Sequence, residues 1–240
     1  MNATRKTSAR LLNPSLWKKV AVFRRRFRHS KPFRHVVIHR AFKPKPLRQF
    51  QDYLTTNHSL RREHHRGHKA SFYDISRDIR HPLVRRWFAA VFKEMIPLAE
   101  AVTKKKVSRL HVPVRYYVYG PSDYLVPHSD NVGQRALAFV INLSDFEVRE
   151  GGRLLLLRRK AGKTFKIAKR IPRRFNDLVL FEVNRTSFHQ VEKIRVYKKR
   201  MTISGWFLHK DYDQTFLKRL KENPKRVPTL HQESNAHSTH

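Results

Sequence analysis

Residues 112–143 read VPVRYYVYGPSDYLVPHSDNVGQRALAFVINL, and this stretch decides the fold class. In it, short runs of β-branched, aromatic and aliphatic residues alternate with turn residues such as Gly120 and Gly133. Runs of about four to eight such residues, bounded by glycine or proline, are typical of β-strands. We therefore predict strands over 112–119, 124–128 and 135–143.

The same pattern continues towards the C-terminus, where five more strands are predicted. They span 153–157, 164–168, 178–183, 186–191 and 200–207. Eight short strands in succession favour a closed or two-sheet β core, of which the jelly roll is the commonest eight-stranded form. The predicted fold class is mainly β with flanking helices, on a jelly-roll core.

Helical periodicity precedes the β core. Apolar residues recur at helical spacing from His81 to about Lys105, and a shorter helix is predicted from Pro46 to about Leu54, after a strand over 33–38. Residues near the N-terminus show no clean apolar period and favour a flexible basic arm. The predicted organisation is an arm over 1–30, one domain over 31–210 (helical support 44–106, β core 112–208), and a C-terminal helix with a polar tail over 211–240.

The charge of the chain is extreme. Lys and Arg number 53 against 18 Asp and Glu, which gives a net charge of +35 in 240 residues. A field of this sign attracts polyanions, so we expect contact with nucleic acid or a ribosome, or with an acidic membrane surface. The chain has no Cys, which excludes disulfides and thiolate metal sites and leaves His and carboxylates as metal ligands.

Targeting signals are weak. The sequence has neither a transmembrane run nor the apolar stretch of a secretory signal, so we expect an intracellular, cytoplasmic protein, with the nucleus or mitochondrion as alternatives. The mitochondrial alternative rests on residues 1–51, which contain no Asp or Glu.

The sequence contains three His-x-Asp or His-x-Glu pairs, and one of them stands out. His128 and Asp130 end a predicted strand, where residues two apart point to the same face, whereas the pairs His209/Asp211 and His231/Glu233 do not. His189 lies on a later predicted strand and supplies a third ligand. Two His and one carboxylate with an open face are the ligand set of non-haem Fe(II) oxygenases.

Arg200 begins an otherwise apolar predicted strand, and Thr202 faces the same way. A guanidinium and a hydroxyl on a sheltered strand suit the distal carboxylate of a dicarboxylate co-substrate that chelates iron at its other end. By contrast, the segment that contains Glu63, His65 and His68 is rich in cations and has one carboxylate, so we expect a solvated loop there.

The segments YVYGPSDYLVPHSDNVGQRALAFVINLSDF (117–146), EGGRLLLL (150–157), FNDLVLFEVNRTSFHQVEKI (175–194) and RMTISGWF (200–207) resemble the prolyl hydroxylase branch of the 2-oxoglutarate/Fe(II)-dependent oxygenases. The ribosomal prolyl hydroxylase group is the most similar. The resemblance implies a double-stranded β-helix, and it implies that His128, Asp130 and His189 bind iron and Arg200 binds 2-oxoglutarate.

Two further positions follow from the resemblance. Tyr119 matches a tyrosine that lines the co-substrate pocket in similar enzymes. Asn142 stands where many relatives have a tyrosine; it is assigned to the co-substrate pocket, with one hydrogen bond to the co-substrate either of shorter reach or absent. The resemblance also implies Fe(II), 2-oxoglutarate and O2, with ascorbate as an optional reductant.

The expected function is hydroxylation of a prolyl residue in a protein substrate, such as a ribosomal or RNA-associated protein, with release of succinate and CO2. Basic residues in 158–174 form either a docking loop for such a substrate or a solvated loop. Two alternatives stay open. Oxidation of a nucleobase suits the charge, but similar demethylases carry a second Arg where this chain has Trp206. A catalytically silent basic RNA-binding module would not need the ligand set.

Overall fold

The computed structural model describes residues 10–56, 58–65, 67–144, 148–161, 164–215 and 218. In this part of the chain, four α-helices pack beside a large antiparallel sheet. The helices are α1 (Val20–His29), α2 (Pro44–Thr56), α3 (Pro82–Ala90) and α4 (Ile96–Thr103). Short 3-10 helices span Pro14–Lys19, Ile75–Asp78 and Val148–Glu150.

The strands carry most of the site. They are β1 (His35–Ile38), β2 (Arg61–His65), β3 (His68–Asp74), β4 (Val114–Tyr119), β5 (Tyr124–His128), β6 (Arg135–Asn142), β7 (Leu154–Arg159), β8 (Phe165–Ile171), β9 (Leu178–Glu182), β10 (His189–Val191) and β11 (Arg200–Leu208). Each of the eight strands predicted for the β core is present, with bounds that differ by a few residues. The prediction of a mainly β jelly roll is confirmed.

The sheet folds into two groups of strands joined by β3. The order is β1-β9-β6-β11-β4-β3-β5-β10-β7-β8, with β2 paired to the outer side of β3. Residues 71–74 of β3 pair with β4, and residues 68–69 pair with β5. β3 therefore belongs to both groups, and the cavity described below lies between them.

The helices cover the outer face of the group that contains β6 and β11. Their buried side chains form one apolar core with buried residues of these strands, such as Phe139 and Ile203. Aromatic rings stack within it: Trp87 lies with its centroid 5.4 Å from that of Phe42 and 4.7 Å from that of Phe50. This packing fixes the strands that carry Arg200 and Thr202.

A short π-helix, Val91–Met95, joins α3 to α4. Pro97 has no N–H to donate to the preceding turn, and a wider turn accommodates the missing hydrogen bond. Glu94 on this turn accepts hydrogen bonds from the backbone N–H groups of Leu11 and Leu12, each at 3.0 Å. The prediction of a helical segment from His81 to about Lys105 that packs on the core is confirmed.

The prediction of a flexible arm is wrong for residues 10–30. Phe23 and Phe27 lie one helical turn apart on α1, and both are buried in the main core. The guanidinium of Arg24 donates to the carbonyl of Ala101 on α4 at 3.0 Å. Two phenylalanines at i and i+4 anchor the helix although arginines surround them, and this narrow apolar stripe was missed in the sequence.

The prediction of a solvated loop around Glu63 is also wrong. β2 and β3 form a hairpin there, and His68, which pairs with His65 beside the turn, is buried. Residues of alternating burial along β3 match a strand with one buried face. Most of the segment 158–174 is likewise strand rather than loop, since it contains the end of β7 and all of β8.

The C-terminal prediction is tested only in part. Residues 212–215 are helical, and most of the predicted helix and the whole polar tail lie outside the described residues. In the part of the chain that the structure describes, no helix combines the length and the apolar character that a membrane span requires.

Candidate metal and co-substrate site

A cavity of about 630 Å³ lies between the two groups of strands. Side chains from both groups line it, among them His128 and His189 from one group and Arg200 and Thr202 from the other. Six of the seven site residues predicted from the sequence therefore meet in one cavity: His128, Asp130, His189, Arg200, Thr202 and Tyr119.

His128, Asp130 and His189 form a compact cluster in this cavity. Their potential ligand atoms all lie within 4.8 Å of one another. The cause is strand pairing, since His189 at the start of β10 lies directly opposite His128 at the end of β5. Asp130 follows two residues later and places its carboxylate 3.6 Å from Nε2 of His128 and 3.5 Å from Nε2 of His189.

Both imidazoles are oriented by backbone carbonyls. Nδ1 of His128 lies 3.0 Å from the carbonyl of Val126, and Nδ1 of His189 lies 3.0 Å from the carbonyl of Ser187. Because a carbonyl only accepts, each Nδ1 carries the proton and each Nε2 is left with a lone pair. Metal-binding histidines are commonly held in this way by an acceptor on the second nitrogen.

The protonation states fit a metal centre. Burial and the nearby His128 lower the pKa of His189 to about 4, although Asp130 opposes the shift, so this imidazole is neutral at pH 7. Burial raises the pKa of Asp130, but its interactions with His189 and with His128 outweigh burial and hold the pKa of this carboxyl well below its usual range. A neutral imidazole and an ionised carboxylate are ready to bind a divalent cation.

Arg200 lies in the cavity as a buried cation. It is 3% exposed, and the ring of Tyr119 lies 4.9 Å from its guanidinium carbon. Nε of Arg200 and Oγ1 of Thr202 are buried without a hydrogen-bond partner among the described residues. Buried polar groups are normally satisfied, so these orphaned donors fit a carboxylate ligand.

A second buried guanidinium was missed in the sequence. Burial and the charge of Arg200 lower the pKa of Arg173 to about 9, and Arg173 donates to the carbonyl of Gly151. Two cations in one buried region strengthen its attraction for an anion.

Tyr119 and Asn142 occupy different places. Tyr119 on β4 pairs with Arg200 on β11 and lines the cavity. Asn142 on β6 pairs with Thr202 and is buried, but it does not reach the cavity wall, which ends at Val140 on this face of the strand. Its role at the co-substrate stays a prediction.

The β2–β3 hairpin brings to the cavity residues that the sequence analysis assigned to a solvated loop. Nδ1 of His68 lies 2.9 Å from Oε2 of Glu63, and its Nε2 lies 3.3 Å from the hydroxyl of Tyr119. With Glu63 accepting from Nδ1–H, the Tyr119 hydroxyl donates to Nε2. Together with the exposed His65, these two hairpin residues place three potential metal ligands close together, but both nitrogens of His68 already have protein partners.

Arg135 is a further neighbour of the metal cluster. Its guanidinium lies 3.7 Å from the Asp130 carboxylate and over the indole of Trp206, 3.9 Å from the ring centroid. Stacking on the Trp206 indole holds the Arg135 guanidinium at the edge of the metal cluster. By contrast, His209 and Asp211 are exposed and form no such cluster in the described residues, and His231/Glu233 lie outside them.

The family model described as 2OG-Fe(II) oxygenase superfamily matches residues 114–208. Over these residues the chain is similar to the 2OG-Fe(II) oxygenase superfamily. The matched region, called the oxygenase domain below, begins at β4 and ends with β11, and it contains all seven predicted site residues.

Curated relatives match part of the chain. A prolyl 3-hydroxylase of Drosophila melanogaster, sudestada1, is 30% identical over 144 residues, which are 56% of this chain and 26% of that protein. The prolyl 3-hydroxylase OGFOD1 of Xenopus laevis is 38% identical over 92 residues, 37% of this chain and 18% of that protein. The matches thus span about a quarter or less of the relatives' lengths.

Solved structures share the fold of the oxygenase domain at low sequence identity. A Pseudomonas putida prolyl-4-hydroxylase aligns with a TM-score of 0.60 at 13% identity and covers 80% of this chain and 99% of its own. A Trichoplax adhaerens prolyl hydroxylase in complex with a hypoxia inducible factor peptide aligns with a TM-score of 0.61 at 14% identity, covering 85% and 95%. These likenesses establish the fold.

Proposed function

We propose that this chain is an Fe(II)- and 2-oxoglutarate-dependent oxygenase that hydroxylates a prolyl residue of a protein. One observation carries the proposal: a cluster of two His and one Asp shares its cavity with a buried Arg that has no carboxylate partner in the described residues. The two features are the two halves of a site for a metal-chelating dicarboxylate.

His128, Asp130 and His189 would hold the metal. Their carbonyl-oriented imidazoles and ionised carboxylate would supply three ligand atoms, which lie within 4.8 Å of one another on the cavity wall. Iron with 2-oxoglutarate and O2 supplies the oxidising chemistry, with succinate and CO2 as the products of the co-substrate.

Arg200 and Thr202 would bind the distal carboxylate of 2-oxoglutarate. The guanidinium offers paired N–H donors, and the Thr202 hydroxyl adds one more. Burial excludes water from this charge pair, which strengthens it and fixes the direction of the co-substrate towards the metal cluster. Tyr119, stacked on Arg200, would form one wall.

The substrate is proposed to be a prolyl residue because the matched relatives are named prolyl hydroxylases. The net charge of +35 supports a protein that lies in contact with RNA, such as a ribosomal protein, as the source of that residue. An intracellular location, cytoplasmic or nuclear, follows from this choice of partner and remains part of the proposal.

The first test needs no protein substrate. Anaerobic addition of Fe(II) and 2-oxoglutarate should produce a visible charge-transfer band in the wild-type protein and none in His189→Ala. Iron content, measured separately, should be one atom per chain in wild type. A second bound atom that disappears in Glu63→Gln would show that the hairpin cluster also binds metal.

The second test addresses the substrate. Mass spectrometry of proteins from cells with and without the gene should find a prolyl residue whose mass increase of one oxygen depends on it. No band in the first test would contradict the oxygenase assignment. A band with oxidised nucleobases instead of oxidised proline would keep the reaction class and overturn the substrate.

A further inference from the structure

The hairpin formed by β7 and β8 carries an unbalanced positive charge. Residues 151–176 contain ten Lys and Arg and no Asp or Glu. The acidic residues that flank this stretch already have partners, since Glu150 pairs with Lys198 and Asp177 with His39. Five cations of the hairpin are exposed without a carboxylate partner in the described residues: Arg158, Lys160, Lys166, Lys169 and Arg170.

Two of these cations face each other across the hairpin. Arg158 on β7 lies directly opposite Lys166 on β8. Like charges at directly opposite positions destabilise an antiparallel pair, so this arrangement costs stability in the isolated chain. An anion between the two side chains would remove the cost, and the pair is therefore better explained by a ligand than by folding.

The hairpin extends from the end of the sheet that carries His128 and His189. Leu156 on β7 lies opposite His189, which in turn lies opposite His128, and β7 then continues through Arg158. Leu154, two residues before Leu156 on the same face, lines the cavity. Arg158 therefore follows the cavity wall outward past the metal cluster.

The turn end of the hairpin packs against the residue that precedes His189. The ring of Phe165 lies 4.8 Å from that of Phe188, centroid to centroid, and Phe188 directly precedes His189. A ligand held by the hairpin would thus have a defined position relative to the metal cluster.

We propose that the β7–β8 hairpin binds RNA phosphates and thereby holds an RNA-associated protein at the mouth of the cavity. The choice of RNA rests on the proposed function. Under that function a prolyl residue of the substrate must reach the cavity, and phosphates of the same complex must at that moment contact the neighbouring hairpin. A protein segment embedded in folded RNA presents both surfaces side by side. Arg and Lys contacts to phosphate give affinity that depends on salt and not on base sequence.

Protection of the sheet edge does not account for the charge. Lysines on an edge strand such as β8 discourage pairing with other chains. However, Arg158 and Arg159 lie on β7, one strand in from the outer edge that β8 forms, and they extend beyond residues 154–156, which pair with β10. Protection of the β8 edge therefore does not account for these two arginines.

The test compares two variants with equal charge loss. The hairpin variant is Arg158→Gln/Lys166→Gln/Lys169→Gln/Arg170→Gln, and the control is Arg25→Gln/Arg26→Gln/Arg85→Gln/Arg86→Gln on exposed positions of α1 and α3. Each lowers the net charge by four. Binding of a labelled RNA hairpin of about 20 nucleotides is followed by anisotropy between about 50 and 300 mM KCl, with thermal melts to check the fold.

In the hairpin variant, RNA affinity should fall at least about tenfold, and the slope of log affinity against log salt should decrease by about three. The control should retain most of both. Equal losses in the two variants, or no loss in either, would overturn the hairpin as the site. Tighter binding of wild type to duplex DNA of the same length would overturn the choice of RNA.

The outcome is separable from that of the proposed function. The hairpin variant keeps all seven site residues, so it should develop the same band with Fe(II) and 2-oxoglutarate as wild type. Loss of RNA binding with an intact band supports the hairpin. RNA binding by a wild-type protein that develops no band would contradict the oxygenase and leave the RNA site standing.

Discussion

The hydroxyl of Tyr119 lies 3.3 Å from Nε2 of His68. This contact joins the β2–β3 hairpin to the cavity wall beside Arg200, and Glu63 fixes the proton of His68 from the other side. His68 therefore positions a tyrosine of the proposed co-substrate pocket from a segment outside the matched oxygenase domain.

Replacing His68 should loosen Tyr119. In His68→Phe, the affinity for 2-oxoglutarate should fall about two- to tenfold, because one neutral hydrogen bond is worth about 0.5–1.5 kcal/mol. Titration of the charge-transfer band measures this affinity, and iron binding should be unchanged. His65→Gln is the control, since His65 is exposed and does not contact Tyr119. Equal affinity in His68→Phe and wild type would show that Tyr119 is held in other ways.

Removing the carboxylate ligand should abolish iron binding and leave the fold. Asp130→Ala should lower iron affinity by more than the roughly 10–100-fold that loss of an outer contact costs. The melting temperature of the metal-free protein should stay near that of wild type. His209→Ala should bind iron normally, as its side chain is exposed and apart from the cluster. Iron loss in His209→Ala would mean that the wrong pair has been assigned.

Replacing Arg200 by Met should separate binding from stability. The variant should lose 2-oxoglutarate binding and retain iron. Its ligand-free form should be more stable than wild type by about 1 kcal/mol or more, because an unpartnered buried cation pays a desolvation cost. Urea denaturation and band titration measure the two effects. A less stable ligand-free variant would show that Arg200 supports the fold.

His35 should make stability depend on pH. Burial lowers its folded-state pKa to about 4, whereas an unfolded His titrates near 6.5. Between these values the unfolded chain binds a proton that the folded chain does not, so stability falls as the pH drops from about 6.5 to 4, by up to about 3 kcal/mol. Denaturation across this range should show a smaller loss in His35→Phe. The same loss in both proteins would exclude His35 as the cause.

Helix α1 should be required for the fold. Phe27→Ala removes a ring that is 2% exposed in the main core, and such changes cost about 3–5 kcal/mol. Arg28→Ala, one position along and exposed, should change stability by less than about 0.5 kcal/mol. Thermal melts of the two variants measure the difference. Equal stability of Phe27→Ala and Arg28→Ala would support the flexible arm that the composition predicts.

The β core was predictable because its signals are local. Alternating apolar runs and turn glycines mark the strands, and the pairing of His128 with His189 follows from strands that fold back on each other. Arg200 was also predictable, since a cation in an apolar strand is unusual in a sequence. The positions of these residues can therefore be predicted without knowledge of the packing around them.

Other features depend on long-range contacts and left weak signals. Phe23 and Phe27 become core residues only because α4 lies beside them, and in the sequence the surrounding arginines dominate. His68 becomes a cavity residue only because β3 pairs with both β4 and β5. Asn142 lies on a strand that was predicted, but whether its side chain lines the cavity depends on the packing around it and left no local signal.

If 2-oxoglutarate binds as proposed, the unsatisfied guanidinium of Arg200 would link the lifetime of the protein to metabolism. A ligand that binds only the folded state stabilises it in proportion to the logarithm of its concentration. With the proposed co-substrate scarce, a larger fraction of molecules would unfold and become available to proteases. We therefore expect the abundance of this protein in the cell to follow the supply of 2-oxoglutarate, so that starvation for the metabolite removes the protein as well as slowing it.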